Sequence, residues 1–170
     1  MALVKGFTLI ELIIVIILIS ILSALGIGLL TGTSGFSARV ASDLWLTGFR
    51  LSQRMALMKQ SSSALLTMSI AESTGDWDVT IDFNSVELNS FNIERNQVVF
   101  RSSTSDFASS CNTLPAVSFP LTFYFDGYGD LVTSSRNQLV TNTRLCFVGG
   151  ETVELCISPS GYAYAGVCEL

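Results

Sequence analysis

The sequence predicts an α+β fold, in which one long N-terminal helix packs on an antiparallel β-sheet domain. Three observations predict it. Residues 12–30 are almost wholly aliphatic, and residues 12–38 carry no charge. Apolar residues then recur at helical spacing as far as Lys59. Beyond Ser63 the period falls to two, which is the mark of half-buried strands.

The 170 residues amount to about one domain. Apolar residues make up 49% of the chain and charged residues only 14%, against roughly a quarter charged in an ordinary domain. The apolar excess is concentrated in one segment long enough to span a bilayer. That excludes a plain cytosolic globule and also a polytopic membrane protein. The net charge is −5 and the nine basic residues are scattered, which argues against phosphate-driven nucleic-acid binding. Histidine is absent. Catalysis by a Ser-His-Asp or Cys-His set, a histidine general base and a histidine-ligated zinc are therefore excluded.

The N-terminal segment comes first. A secretory signal has a basic start, 7–15 apolar residues and then a small-residue cleavage site. Here the apolar run is longer and holds Glu11 near its front. A carboxylate at mid-bilayer costs about 2.5–3.5 kcal/mol on insertion scales, so Glu11 calls for a function and a partner.

Lys5-Gly6-Phe7-Thr8-Leu9-Ile10-Glu11 resembles the class III signal of type IV prepilins and type II secretion pseudopilins. The resemblance covers the leader and about 25 residues after it. It implies a leader peptide of residues 1–6 that prepilin peptidase/methyltransferase removes after Gly6, with N-methylation of Phe7. Glu11 would become the fifth mature residue and pair with the N-terminal amine of a neighbouring subunit. An ammonium and a carboxylate in an apolar bundle neutralise each other, whereas either alone is stranded. The implied partners are that enzyme, other pilin or pseudopilin subunits and the inner membrane, with no nucleic acid expected. Major pilins usually carry a proline at the position equivalent to Gly28. Here Gly26, Gly28 and Gly32 soften the segment instead. Gly28 and Gly32 also match GxxxG, a close-packing motif of membrane helices.

The helical pattern continues through Val40, Leu44, Leu51, Met55 and Met58, at spacings of 4, 7, 4 and 3. That stripe is expected to dock on a sheet. The helix is thus expected over residues 7–60, with a membrane span over about 7–30 and an amphipathic half beyond it. If it is continuous, the 53 residues from Phe7 to Lys59 reach about 80 Å, too long for one bilayer. Residues 64–170 form the β domain. Asp76–Phe83 alternates polar and apolar without a fault, and Leu121–Phe125 does the same. Further strands are expected at 64–70, 97–101, 144–148, 153–158 and 162–165. Residues 126–130 read as a turn and 102–115 as a serine-rich loop holding Cys111.

Parts of this domain resemble the GspH/FimT group of minor pseudopilins and minor pilins. The carriers are Gly75-Asp76-Trp77-Asp78-Val79, Thr122-Phe123-Tyr124-Phe125-Asp126-Gly127-Tyr128-Gly129 and Leu155-Cys156-Ile157-Ser158-Pro159-Ser160-Gly161-Tyr162. The cysteine-bearing ending is closer to minor pilins of mannose-sensitive haemagglutinin type. The resemblance implies a type IV pilin fold and a single-pass inner-membrane protein. Its C-terminal domain would lie in the periplasm, moving to the cell surface after assembly.

The four cysteines are Cys111, Cys146, Cys156 and Cys168. None forms a CxxC pair, so no zinc site is expected. An even count after a membrane segment suggests two disulfides in an oxidising compartment; free thiols in a cytosolic domain are the alternative. Three connectivities exist. Placing Leu145 and Phe147 on the same side as Val153, Leu155 and Ile157 requires a three-residue loop between the strands. Cys146 and Cys156 then share the outer face, opposite or diagonal. This favours Cys146–Cys156, with Cys111–Cys168 tying down the tail.

Other constellations carry little. Asp126 and Asp130 are too few for a calcium site. Asp76, Asp78 and Asp82 make an acidic outer strand face. Ser158-Pro159-Ser160-Gly161 lacks a base. The expected function is therefore structural, with no enzymatic activity, cofactor or metal. The chain is expected to be a minor pilin or pseudopilin subunit that enters, or initiates, a type IV pilus or type II secretion pseudopilus. A DNA-binding minor pilin for natural transformation is the alternative, and the acidic domain argues against it. A membrane-anchored carboxylate hydrolase is a third reading.

Overall fold

The computed structural model describes the backbone of residues 9–30 and 33–169, and the side-chain surroundings of residues 9–21 and 36–169. The chain divides into two compact units between Thr33 and Ser34. The first contains the helix α1, Leu9–Leu30. From Leu9 to Ile21 every residue is exposed, with Leu9 at 76% and Ile19 at 57%. A helix apolar on all sides has no inward face within its own chain. Ser20 Oγ donates to the Ile16 carbonyl at 2.7 Å, so its one short hydroxyl in this stretch is satisfied within the helix. Among the described residues no helix is long and apolar enough to cross a membrane. The expected span of about 7–30 includes residues outside that description.

The second unit holds α2, Thr33–Lys59, from its second residue on, and among the described residues nine strands. These are β1 Leu66–Glu72, β2 Asp76–Phe83, β3 Val86–Glu94, β4 Val99–Ser103, β5 Leu121–Phe125, β6 Leu131–Val132, β7 Thr143–Val148, β8 Thr152–Ile157 and β9 Ala163–Ala165. They form two antiparallel sheets rather than one. Sheet A runs β3-β2-β1-β5-β6 and sheet B runs β4-β7-β8-β9. The fold is α+β, as expected.

α2 ends where Gln60 takes a positive φ of 43° and donates its N–H to the Ala56 carbonyl at 3.1 Å, closing the last turn. The helix buries a different face from the one its large aliphatic residues suggest. Ala38, Ala41, Trp45, Phe49, Ser52 and Ala56 are buried, at spacings of 3, 4, 4, 3 and 4. Of the expected stripe, Val40 is 37%, Leu44 39% and Met58 82% exposed, and Leu51 and Met55 are half-buried. Close approach explains the difference. A Cβ on Gly48 would stand 2.9 Å from Met68 Cε and 3.0 Å from Phe91 Cζ. Small residues let α2 settle onto β1 and β3, and Trp45 and Phe49 fill the remaining depth.

Trp45 is where the layers meet. Its ring stacks on Phe100 at 4.5 Å and meets Phe147 edge-on at 5.3 Å, both in sheet B. It also meets Trp77 of sheet A edge-on at 5.6 Å. Phe49 meets Phe123 edge-on at 4.8 Å. Leu66, Met68, Ile70, Val79 and Ile81 close the core from sheet A, and Leu145, Leu155 and Ile157 close it from sheet B.

Most strands fall within two residues of expectation, and Asp76–Phe83 and Leu121–Phe125 coincide with it. Two were not anticipated, β3 and β6. Asn84 and Ser85, at φ 53° and 63°, make the two-residue turn that pairs Phe83 with Val86. β3 is an edge strand with a mostly exposed pattern, and its register slips between Ile81 and Asp82. An edge strand with a bulge in its pairing loses the clean alternation that reveals a strand in sequence. The turn expected at residues 126–130 is present and meets the loop at Gly161. A Cβ there would collide with the Gly129 carbonyl oxygen, and Gly161 also needs its φ of +72°.

Candidate functional site

The residues of interest lie in two places, the start of α1 and the outer face of sheet B. Glu11 occupies the first turn of α1, where the helix dipole favours a negative group. It is the one charged residue in the 22-residue helix. Gly6 and Phe7, the expected cleavage and methylation positions, lie outside the described residues. So does Gly32. Gly28 falls within α1, but its surroundings are not among those described, so packing through Gly28 and Gly32 remains an expectation.

The cysteines do not pair as expected. The bridges are Cys111–Cys146 and Cys156–Cys168, with Cα–Cα separations of 5.7 and 5.1 Å. The three-residue loop of residues 149–151 does join β7 to β8, and Cys146 and Cys156 do share a face. They are not opposite each other, however. Cys146 faces Glu154, and Cys156 faces Arg144. That makes the two cysteines a diagonal pair, with Cα atoms about 7–8 Å apart in a regular ladder, beyond the reach of a disulfide without backbone movement. Each sulfur therefore takes a partner from a segment laid over the sheet. Cys111 comes from the short 3₁₀ turn Cys111–Thr113, and Cys168 from the tail after β9.

The other diagonal of the same square holds a charge pair that the sequence reading did not single out. Arg144 Nε donates to Glu154 Oε2 at 3.0 Å, and Nη2 donates to Oε1 at 2.8 Å. Arg144 Nη1 donates to the Ser109 carbonyl at 2.7 Å, which holds the serine-rich loop over the sheet. The guanidinium side chain is 4% exposed and that of Glu154 21%. The Glu154 hydrogen bonds keep the Arg144 pKa above its ordinary value, against the cost of burial. Asp106 accepts the backbone N–H groups of Ala108 and Ser109 at 3.2 and 2.9 Å. Hydrogen bonds from Ser109 hold its carboxyl below the ordinary carboxylate range, and Arg144 adds a weaker attraction. The opposite charges at 144 and 154, on the cysteine-bearing face of a foreseen hairpin, were the available signal.

Cys111, Cys146 and Glu154 bring ligand-type atoms within 4.8 Å of one another. The two sulfurs are joined in a disulfide, and Glu154 is engaged by Arg144. The cluster is thus built as a brace between loop and sheet. Replacing Glu154 with Ala leaves the Arg144 charge buried with only carbonyl partners. The expected loss is about 2–3 kcal/mol, read as a lower urea midpoint at unchanged slope. The double change Arg144→Met, Glu154→Leu should recover most of that loss, because it strands no charge.

Asp126 Oδ1 accepts the N–H groups of Tyr128 and Asp130 at 2.9 and 3.0 Å, which makes a tight turn. Partial burial, with a smaller contribution from neighbouring Asp126, pushes the Asp130 carboxyl above its ordinary value.

Comparison with known proteins bears on the first of these places. Neither the curated proteins nor the solved structures yield a match. The family model for the prokaryotic N-terminal methylation motif matches residues 1–27, the stretch that contains Gly6, Phe7 and Glu11. The chain therefore begins with a type IV prepilin-like leader and N-methylation motif, the mark of a prepilin that a peptidase processes.

Proposed function

We propose that this chain is a structural minor pilin or pseudopilin subunit. It is cleaved after Gly6, methylated at Phe7 and held in the inner membrane by the apolar segment of about residues 7–30. It is then drawn into a type IV pilus or type II secretion pseudopilus. The observation that carries this reading is the methylation motif over residues 1–27, with Glu11 as the one charge of α1. Glu11 pairs with the freed amine of a neighbouring subunit and so sets the axial stagger, since either charge alone in an apolar bundle is unfavourable. Apart from Glu11, the exposed aliphatic residues of α1 between Leu9 and Ile21 suit first lipid and then neighbouring helices. Phe36, Val40 and Leu44, exposed at 71%, 37% and 39%, offer α2 a further apolar edge for such neighbours. Two disulfides suit a domain that matures outside the cytoplasm. The motifs at residues 75–79, 122–129 and 155–162 support a reading as a GspH/FimT-like subunit, and the cysteine-bearing ending supports one of mannose-sensitive haemagglutinin type. It is assigned no catalytic role.

The direct test is Gly6→Leu. A bulky residue at the cleavage position is expected to leave the leader attached and Phe7 unmethylated. Intact-mass spectrometry of the membrane fraction would then read a chain six residues longer than the processed wild type. Wild-type protein that begins at Met1 would overturn the proposal.

A further inference from the structure

A cleft of about 300 Å³ opens between the β5–β6 end of sheet A and the β4–β7 end of sheet B. Seven of the twelve residues around it are hydroxyl-bearing types, and none of the twelve carries a carboxylate, an ammonium or a guanidinium. The register shows that some of these hydroxyls sit where a core would demand apolar side chains. Ser102 pairs with Leu145, and Thr143 pairs with Ile157. Cross-strand partners share a face, so Ser102 and Thr143 point inward and extend the rows of Phe100 and of Leu145. Thr143 is only 8% exposed. Phe123 and Leu131, both buried, and half-buried Leu139 give the cleft an apolar floor.

We propose that this cleft binds a neutral saccharide of one or two hexopyranose rings. A sugar ring carries an apolar C–H face and a rim of hydroxyls. Serine and threonine hydroxyls rotate to donate or accept, so they match such a rim in either sense. The apolar floor of Phe123, Leu131 and Leu139 takes the ring face. The volume lies at the small end of ligand sites. An anionic or cationic ligand is disfavoured, because it would lose hydration without gaining a counter-charge. The inward hydroxyls of Ser102 and Thr143 stand at the apolar floor, where they can meet the hydroxyl rim of the ring. The cleft lies wholly within the β-sheet unit, so this inference stands apart from the reading of the N-terminus.

Saturation-transfer difference NMR on the full chain in dodecylphosphocholine, a detergent without a sugar headgroup, tests it. The probes are glucose, galactose, N-acetylglucosamine and lactose, with glucuronate as the charged control. At least one neutral sugar is expected to show saturable transfer, weakened about tenfold or more by Thr143→Val with an unchanged thermal midpoint. Glucuronate should give none. Ser102→Ala is the second variant and carries the comparison if Thr143→Val fails to fold. The proposal is overturned if none of the four sugars binds, if both variants bind like the wild type, or if glucuronate binds as well as glucose.

Discussion

Replacing Trp45 with Ala is expected to destabilise the β-sheet unit by about 3–5 kcal/mol, the usual cost of removing a fully buried aromatic side chain. Trp45 has no exposed surface and touches Phe100 and Phe147 of one sheet and Trp77 of the other. Its loss opens a void where three layers meet, and small neighbours such as Ala41 and Gly48 have nothing with which to fill it. A loss of this size consumes much of the stability of an ordinary domain. Urea unfolding followed by the fluorescence of the remaining Trp77 would register it as a lower midpoint. Trp45→Phe should cost far less. It keeps an aromatic ring and removes an indole N–H that has no hydrogen-bond partner. A midpoint nearly unmoved by Trp45→Ala would show that the direct contacts of Trp77 with Phe100 and Phe147 hold the sheets together without Trp45.

The second large effect concerns assembly rather than folding. Glu11→Ala is expected to leave the chain inserted and processed, because an apolar residue there only lengthens the aliphatic run. Recovery in sheared filaments should nevertheless fall at least about tenfold, which corresponds to about 1.4 kcal/mol of lost pairing per subunit. Glu11→Gln separates charge from shape. It keeps the size and hydrogen-bonding capacity but cannot neutralise an ammonium, so it should behave like the alanine variant. Immunoblots of sheared and membrane fractions give the ratio. Filament recovery equal to wild type for both variants would remove Glu11 from the register-setting role. Trp45→Ala, by contrast, should lower the total amount of folded protein, so the two effects are distinguishable.

The outer face of sheet B shows why a sound argument from sequence reached the wrong pairing. Matching apolar sets across the hairpin led to a three-residue loop and put Cys146 and Cys156 on one face, and the structure has both features. Parity along a strand says which face a side chain takes. It does not distinguish a facing pair from a diagonal one, and the difference of about 2 Å between those separations decides whether a disulfide forms. The position of the serine-rich loop was also needed. Its tie to Arg144 sets Cys111 over Cys146, and no local pattern announces a contact between residues 35 apart.

Helix α2 shows the same division. That it would be a helix with one buried face was legible from its period. Which face is buried was not, because Val40, Leu44 and Met58 outrank Ala38, Ala41 and Gly48 on any hydrophobic scale. Burial was decided instead by how closely the backbone could approach Met68 and Phe91. The split into two sheets was hidden for a related reason. Alternation marks strands one at a time, while sheet membership depends on long-range pairing such as β1 with β5.

By itself, then, the chain determined what is local or compositional. The prepilin-like leader motif, the aliphatic segment with its single carboxylate, and the helical and two-residue periods can all be read from neighbouring residues. Tertiary structure alone decided the buried face of α2, the division into sheets, the partners of the cysteines, the Arg144–Glu154 brace and the cleft between the sheets. Each of those depends on distances between segments far apart in sequence, where close packing selects among arrangements that local propensity leaves equal.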